Sequence, residues 1–235
     1  MDFLRDVLRW FADPANWSGD NGIPQRLREH AQISAESVLI GALIALPIGI
    51  VLGHYGRFGE LAINISNVGR AVPSFAIVII AFQIFGLGDT PIIICLVALA
   101  IPPIVTNSYV ALSGVDPDIK EAARGMGYRG LAQLLRVELP LAVPLLMAGI
   151  RTSAVQVVAT ATLAALIGGG GFGRYVFDGL ATRDYVTMFA GAALVAVLAL
   201  ATEVTLSGVE RVLVPRGIRL LRAPASRRAI SFKTA

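Results

Sequence analysis

Between Asp116 and Leu139 the chain carries a surface whose residue types and spacing serve docking rather than bond-breaking. Asp116-Pro117-Asp118 reads as a helix start: the Asp116 carboxylate can cap orphan amides, Pro117 suits the first helical position, and Asp118 favours the positive end of the helix dipole. From Pro117 onward, Ile119, Ala122, Ala123 and Met126 share one face. Gly125 and Gly127 let the chain turn into a second helix that shows Leu131, Leu134 and Leu135 together. The expected element is an amphipathic helical hairpin. Small at Ala122-Ala123 and ringed by Glu121, Arg124 and Arg129, it could lay its apolar face into a groove on a partner protein. Equally it could lie flat in a lipid interface, and amphipathicity by itself favours that second reading.

No other group of residues points to a reaction. Cys95 is the single cysteine and sits in an apolar window, which excludes a disulfide framework and speaks against a metal cluster. His30 and His54 stand apart, so interfacial or loop positions are expected for them rather than a metal site or histidine catalysis. Gly168, Gly170 and Gly173 satisfy a dinucleotide-binding spacing, but they follow a long apolar run instead of a strand and read as a helix terminator. Neither Lys120 nor Lys233 follows a glycine as a phosphate-binding loop requires, so no site for ATP hydrolysis and no cofactor is expected on this chain. Gln83, Gln156, Thr160 and Thr162 are polar within apolar windows. They are candidates for a hydrated translocation pathway, or for polar glue between helices. Arg151, a costly charge in such a window, is expected to snorkel or to pair with a carboxylate. The spans hold no tight aromatic cluster that could cage a quaternary ammonium group.

The elements that must position these residues are membrane helices. At 55% hydrophobic and 15% charged residues, with mean hydropathy +0.71, the 235-residue chain is too apolar for a water-soluble domain. Long uncharged windows run from Ser37 to Gly53, Ala71 to Gly88, Thr90 to Val115, Thr152 to Gly173 and Tyr185 to Thr202. A crossing needs roughly 17–25 residues, so about five spans are expected in an all-α, polytopic membrane fold. The first span carries Gly41, Ala45, Gly49 and Gly53 on one face, open to close approach by another helix. Pro102-Pro103 should break the third span, with the kink facing protein or a polar path. The fourth begins at Leu139-Pro140 and ends at Gly168-Gly169-Gly170-Gly171. A short helix is expected between Phe172 and Asp184 before the fifth span.

This divides the chain into an interfacial segment over 1–33, a membrane domain over 34–214 with the hairpin loop at 113–139, and a basic tail over 215–235. The N-terminus carries Asp2 and Asp6 where a cleavable signal would need a basic flank, so it is expected to be retained. The formal charge of +4 does not indicate nucleic acid, because the bases border apolar windows without interleaved aromatics. Arg57, Arg70, Lys120, Arg124, Arg129, Arg136 and the tail bases fall on one side of the membrane. Arg5, Arg9, Arg26, Arg28, Arg174 and Arg183 fall on the other, offset in the first segment by acids. The positive-inside rule then puts the hairpin and C-terminus in the cytoplasm and the N-terminus outside, with the tail against anionic lipid.

Glu121-Ala122-Ala123, then Gly127, then Val137-Glu138-Leu139-Pro140 resembles the EAA signature of permease subunits of binding-protein-dependent ABC importers, with Val137 where isoleucine is usual. The run from Val115 to Gly127 and the run from Ala159 to Gly173 resemble the osmoprotectant branch, which imports glycine betaine, carnitine or choline. The resemblance covers roughly Ser34 to Leu213. It implies a MetI-like fold, a second permease subunit, ATPase partners, and an extracytoplasmic solute-binding protein. It also implies a coupling role for Asp116, Glu121, Ala122, Ala123, Gly127, Leu139 and Pro140. Three other readings stay open: a permease of an ABC importer for another small polar solute such as an amino acid, a stand-alone secondary transporter using Glu203 or Arg151, and a membrane scaffold.

Overall fold

The computed structural model describes residues 2–56, 59–60, 63–64 and 73–214. Arg57, Arg70, the start of the second window at Ala71 and Val72, and the basic tail lie outside the described residues. Among those described, every regular element is helical. An opening amphipathic helix, α1 (Asp2–Ala12), precedes α2 (Ile23–Tyr55), α3 (Ser74–Phe85), α4 (Asp89–Ser113), α5 (Pro117–Gly125), α6 (Leu131–Ile167), α7 (Gly173–Thr182) and α8 (Tyr185–Leu213). Helices α2, α4, α6 and α8 are long and apolar enough to cross a membrane; α3 is equally apolar but has 12 residues. The five expected crossings are therefore four full-length helices and one short one.

Helix α2 starts at Ile23, well before Ser37, and runs unbroken through the expected boundary at residue 34. Gly22-Ile23-Pro24 is thus a helix start rather than loop punctuation, because Pro24 lacks only an N–H that the first turn could not use. At 33 residues α2 is about 50 Å long, against roughly 30 Å of hydrocarbon. Its opening turns therefore have length to spare for work at the membrane surface.

The small residues of α2 meet α4. A Cβ added at Gly41 would lie 2.7 Å from Ala100 Cβ, one at Gly49 2.5 Å from Ser108 Cβ, and one at Gly53 2.7 Å from Leu112 Cβ. Partners rise together along both helices, so α2 and α4 are parallel, with backbones in direct contact along the four-residue stripe. Helix α6 runs back along α4: Ser153 donates to the Ala100 carbonyl at 3.1 Å, and Gly149 faces Asn107 and Pro103. Ile33, Val78, Leu96, Val157 and Ile167 join α2, α3, α4 and α6 in one apolar cluster.

The expected break at Pro102-Pro103 does not occur, and α4 is helical throughout. Both prolines are buried against protein, Asn107 donates to the Pro103 carbonyl at 2.8 Å, and packing by α2 and α6 holds the helix across the missing donors. Pro140 likewise starts no new helix. The hairpin's second limb and the fourth span form one 37-residue rod, α-helical at Leu131–Gln133, π-helical at Leu134–Glu138, α-helical at Leu139–Thr160 and 3₁₀ at Ala161–Ile167. The widened π turn accommodates a proline that offers no N–H and whose ring crowds the preceding turn.

Asp184 caps α8, accepting from the Val186 and Thr187 amides at 3.1 Å each and from the Thr187 hydroxyl at 2.7 Å. The Thr187 side-chain and backbone hydrogen bonds hold its carboxyl below the usual carboxylate range. A depressed native value means that this cap stabilises above the unfolded value near 3.9 and is lost as acid titrates it below that. Asp184→Ala is expected to cost about 1 kcal/mol. The check is amide exchange at Val186 and Thr187, corrected for intrinsic rate, which should quicken in the wild type below about pH 4 and be fast at all pH in the variant.

Candidate functional site

The hairpin opens as its sequence dictates, with Asp116 Oδ1 accepting from the Asp118 amide at 2.9 Å. Helix α5 closes with Tyr128 N–H on the Ala123 carbonyl at 3.0 Å and Gly127 N–H on the Arg124 carbonyl at 2.9 Å, a Schellman motif with Gly127 at the left-handed position, φ +89°. Gly125 stays helical, so Gly127 and Gly130 make the turn. The expected shared face is divided. Ala123 is 1% exposed, whereas Glu121, Ala122, Ile119 and Met126 are exposed. Of the leucines expected to show together, Leu131 and Leu135 are exposed while Leu134 packs on Ala111, Leu112, Ala142 and Leu146, beside half-buried Leu139. Lys120 secures α5 from behind by donating to the Leu112 carbonyl at 2.9 Å, satisfying the end of α4. Pro140 is half-buried in the first turn after the π segment.

Beneath the hairpin lies a polar network that sequence reading missed. Glu138, 1% exposed and inside the π turn, accepts from Gln133 Nε2 at 2.8 Å through one oxygen and bonds His54 Nδ1 at 2.8 Å through the other. His54 is therefore not an isolated loop residue; it ties the end of α2 to the base of the hairpin. A cavity of about 530 Å³ opens beside this network, lined by His54, Tyr55, Lys120, Arg124, Arg129, Gly130, Gln133 and Glu138.

Arg151 finds two carboxylates. Its Nε is 3.2 Å from Glu203, and its Nη1 is 3.1 Å from Glu210 and 2.9 Å from Ser207 Oγ, all on one stripe of α8. The charge expected to need a partner is paired and ties α6 to α8.

At the opposite end of α6, the glycine run terminates the rod as expected, with Gly168 and Gly171 both at φ +85°. Adjacent side chains of α2 hold adjacent amides of this corner: Gly171 N–H donates to Glu29 Oε2 at 2.8 Å and Phe172 N–H to His30 Nδ1 at 3.2 Å. His30 Nε2 reaches the Val158 carbonyl at 2.8 Å. An Nδ1 that accepts and an Nε2 that faces a carbonyl require the neutral imidazole protonated at Nε2. His30 is 1% exposed, so the expectation of an interfacial or loop histidine is overturned. Beside this corner a second cavity of about 340 Å³ is lined by Arg26, Glu29, Glu36, Asp89, Gly170 and Arg174 among others. The local aromatics, Trp10, Phe11, Phe172 and Tyr175, pack together as core and form no cage.

The four polar candidates for a pathway are not brought together. Gln83 is exposed on α3; Gln156 and Thr160 are half-buried one turn apart on α6; and Thr162 donates to the Ala159 carbonyl at 2.9 Å. None of them lines either cavity.

Residues 45–217 match the family model described as binding-protein-dependent transport system inner membrane component. The chain is 38% identical over 194 residues to the choline transport system permease protein OpuBB of Bacillus subtilis, an alignment covering 83% of this chain and 89% of that one. It is 36% identical over 191 residues to the glycine betaine/carnitine/choline transport system permease protein OpuCB of the same organism, covering 81% and 88%. The osmoprotectant import permease protein OsmY of Salmonella typhimurium is 35% identical over 193 residues, covering 81% and 82%. The fold matches that of a chain in the inward-facing MetNI methionine ABC transporter with TM-score 0.70, over 82% of this chain and 96% of that one, at 21% identity. With the EAA-type hairpin seated on a bundle of membrane helices, these matches identify the chain as a member of the binding-protein-dependent transport system inner membrane component family, the multi-pass permease subunits of ABC importers, with a MetI-like fold.

Proposed function

We propose that this permease forms, with a second permease subunit, the path by which an ATP-driven importer admits a small compatible solute of the glycine betaine, choline, carnitine or proline type. Support for the solute class comes from the relatives, whose names specify choline, glycine betaine, carnitine or osmoprotectants. ATP is hydrolysed by a separate ATPase, and an extracytoplasmic binding protein selects the solute. The chain contributes no catalytic group. The membrane domain over 34–214 carries the path, Gln83, Gln156, Thr160 and Thr162 supply polar groups along it, and residues 1–33 lie on the receptor side. The basic tail over 215–235 lies with the hairpin on the cytoplasmic side.

The observation that carries this reading is the division of α5 into two faces. Ala123 is buried and Lys120 bonds the end of α4, while Glu121 and Ala122 are exposed to a partner's groove. A lever needs both attachments, since force enters through one face and leaves through the other. Asp116 and Gly127 fix the two ends of that lever, and Leu139 and Pro140 pass its motion along α6. For the cycle to run, the ATPase must contact the hairpin differently in its open and closed states.

An added side chain at Gly127 meets no atom within 4 Å, so substitution there strains the left-handed turn without a clash. Gly127→Leu is expected to cost about 1–2 kcal/mol locally and to lower ATP-dependent uptake about tenfold, with the subunit still folded. The check is uptake of labelled choline and glycine betaine into vesicles containing the permease, ATPase and binding protein, beside ATPase co-purification. Undiminished uptake with normal assembly would refute the lever; transport by the permease alone without ATP would refute the importer.

A further inference from the structure

We propose that the cavity behind the hairpin is a binding site for a phosphate-bearing anion, either a phospholipid headgroup or free phosphate, and that its occupant ties the hairpin to the end of α2. The site is built from three separate pieces of chain. Lys120 and Arg124 project from successive turns of α5, Arg129 follows the left-handed Gly127, and His54 and Tyr55 close the far wall from the end of α2.

Charge decides the kind of ligand. Three cationic side chains line the cavity, and Glu138 is the sole carboxylate among the lining residues. Both oxygens of Glu138 are already engaged, by Gln133 and His54. Among the described residues neither Arg124 nor Arg129 forms an ion pair with a carboxylate. Lys120 directs one proton to the Leu112 carbonyl and has two more to offer. The acids of the hairpin, Asp116, Asp118 and Glu121, are absent from the lining. Two arginines and a lysine lining one space offer the donors that phosphate, which accepts bidentate guanidinium groups on several edges, calls for.

Size and position agree. At about 530 Å³ the cavity far exceeds the roughly 30 Å³ that a water takes in the liquid, and it has room for a headgroup. It lies at the ends of two membrane-length helices, α2 and α6, where Tyr55 is an interfacial aromatic. Arg124 also complements the dipole of α5, but that role needs neither Arg129 nor a cavity.

The test uses the full chain, delipidated in neutral detergent. Short-chain phosphatidylglycerol, short-chain phosphatidylcholine and inorganic phosphate are the probes, and retention is measured by equilibrium dialysis. Wild type is expected to retain phosphatidylglycerol at least tenfold more tightly than phosphatidylcholine, whose own cation meets the basic lining. Phosphate retained as tightly as phosphatidylglycerol marks the soluble anion as the source; phosphatidylglycerol alone marks the lipid. Arg129→Gln should weaken retention about tenfold and Arg124→Gln/Arg129→Gln about a hundredfold. Arg136→Gln, exposed nearby but outside the lining, should leave it unchanged. Should the double variant not purify as a monodisperse species, the single variant and Arg136→Gln give the same comparison. Retention of neither anion by wild type, or equal retention by Arg129→Gln, would overturn the site and leave these bases to an acidic partner protein. The measurement needs no ATPase and no solute, so its failure leaves the import function standing.

Discussion

Gly49→Val is expected to remove most of the folded permease from detergent extracts, lowering the monodisperse yield at least tenfold, whereas Gly208→Val leaves yield and thermal midpoint near wild type. A Cβ at position 49 would lie 2.5 Å from Ser108 Cβ and 2.8 Å from the Val105 carbonyl oxygen. Favourable carbon contacts lie near 3.5–4.0 Å, so α2 and α4 would have to separate. The carbonyl is backbone and cannot swing aside, so relief must travel along both helices and disturb the contacts at Gly41 and Gly53 in register with it. Overpacking by a few methylenes typically costs 1–3 kcal/mol, and valine against backbone lies at or beyond about 3 kcal/mol, a large part of a typical 5–15 kcal/mol stability. Gly208 meets nothing within 4 Å, so the same substitution there tests helix propensity alone. Adding Ser108→Gly to Gly49→Ala should recover part of the loss and no more, because the Val105 carbonyl stays in place. Full recovery would show that the side-chain contact, and not close backbone approach, limits this pair.

That stripe was legible because a four-residue repeat of small residues belongs to one helix and states its own purpose. The start of the hairpin was legible for the same reason: Asp116, Pro117 and Asp118 are neighbours whose roles are local. What escaped is what distance in sequence hides. Glu138 pairs with a histidine 84 residues away, Arg151 with a carboxylate 59 away, and His30 with an amide 142 away. Periodicity assigns a residue to a face, but only packing decides which face of another helix it meets. The prolines misled for a related reason. Their cost to an isolated helix was read correctly, but dense packing around Pro102 and Pro103 and a π turn before Pro140 absorbed it. Likewise the Leu131, Leu134 and Leu135 face was drawn on an ideal α-helix, and the chain leaves that geometry at Leu134. Of the residues to which the resemblance assigns coupling, the structure explains the conformational need for Asp116 and Gly127. It leaves Glu121 and Ala122 exposed, and gives their identity no conformational reason.

Glu138→Ala is expected to cost about 2–5 kcal/mol, because two hydrogen-bonded partners lose the one buried group that serves both. Glu138 is 1% exposed, and its two oxygens serve His54 and Gln133. Alanine would leave the His54 Nδ1 group and the Gln133 amide without the acceptor that now serves both, and water from the adjoining cavity would replace it only in part. Glu138→Gln should be milder, about 1 kcal/mol. Its amide oxygen still accepts from Gln133, and its NH₂ can donate to Nδ1 once the His54 proton moves to Nε2. Glu138→Asp should fall nearer to alanine, because the shorter side chain cannot reach both partners from the same backbone position. Thermal unfolding of the purified subunit orders the three variants, and the ordering separates two explanations. If the network is shape and hydrogen bonding, glutamine stays close to wild type. If the ionised carboxylate is required to hold a protonated His54 beside three other cations, glutamine falls to the level of alanine. Equal stability of all three with wild type would remove the network from any part in holding α2 to the hairpin. Under the proposed coupling role, the hairpin would then act on the bundle through Leu134, Leu139 and their apolar contacts alone.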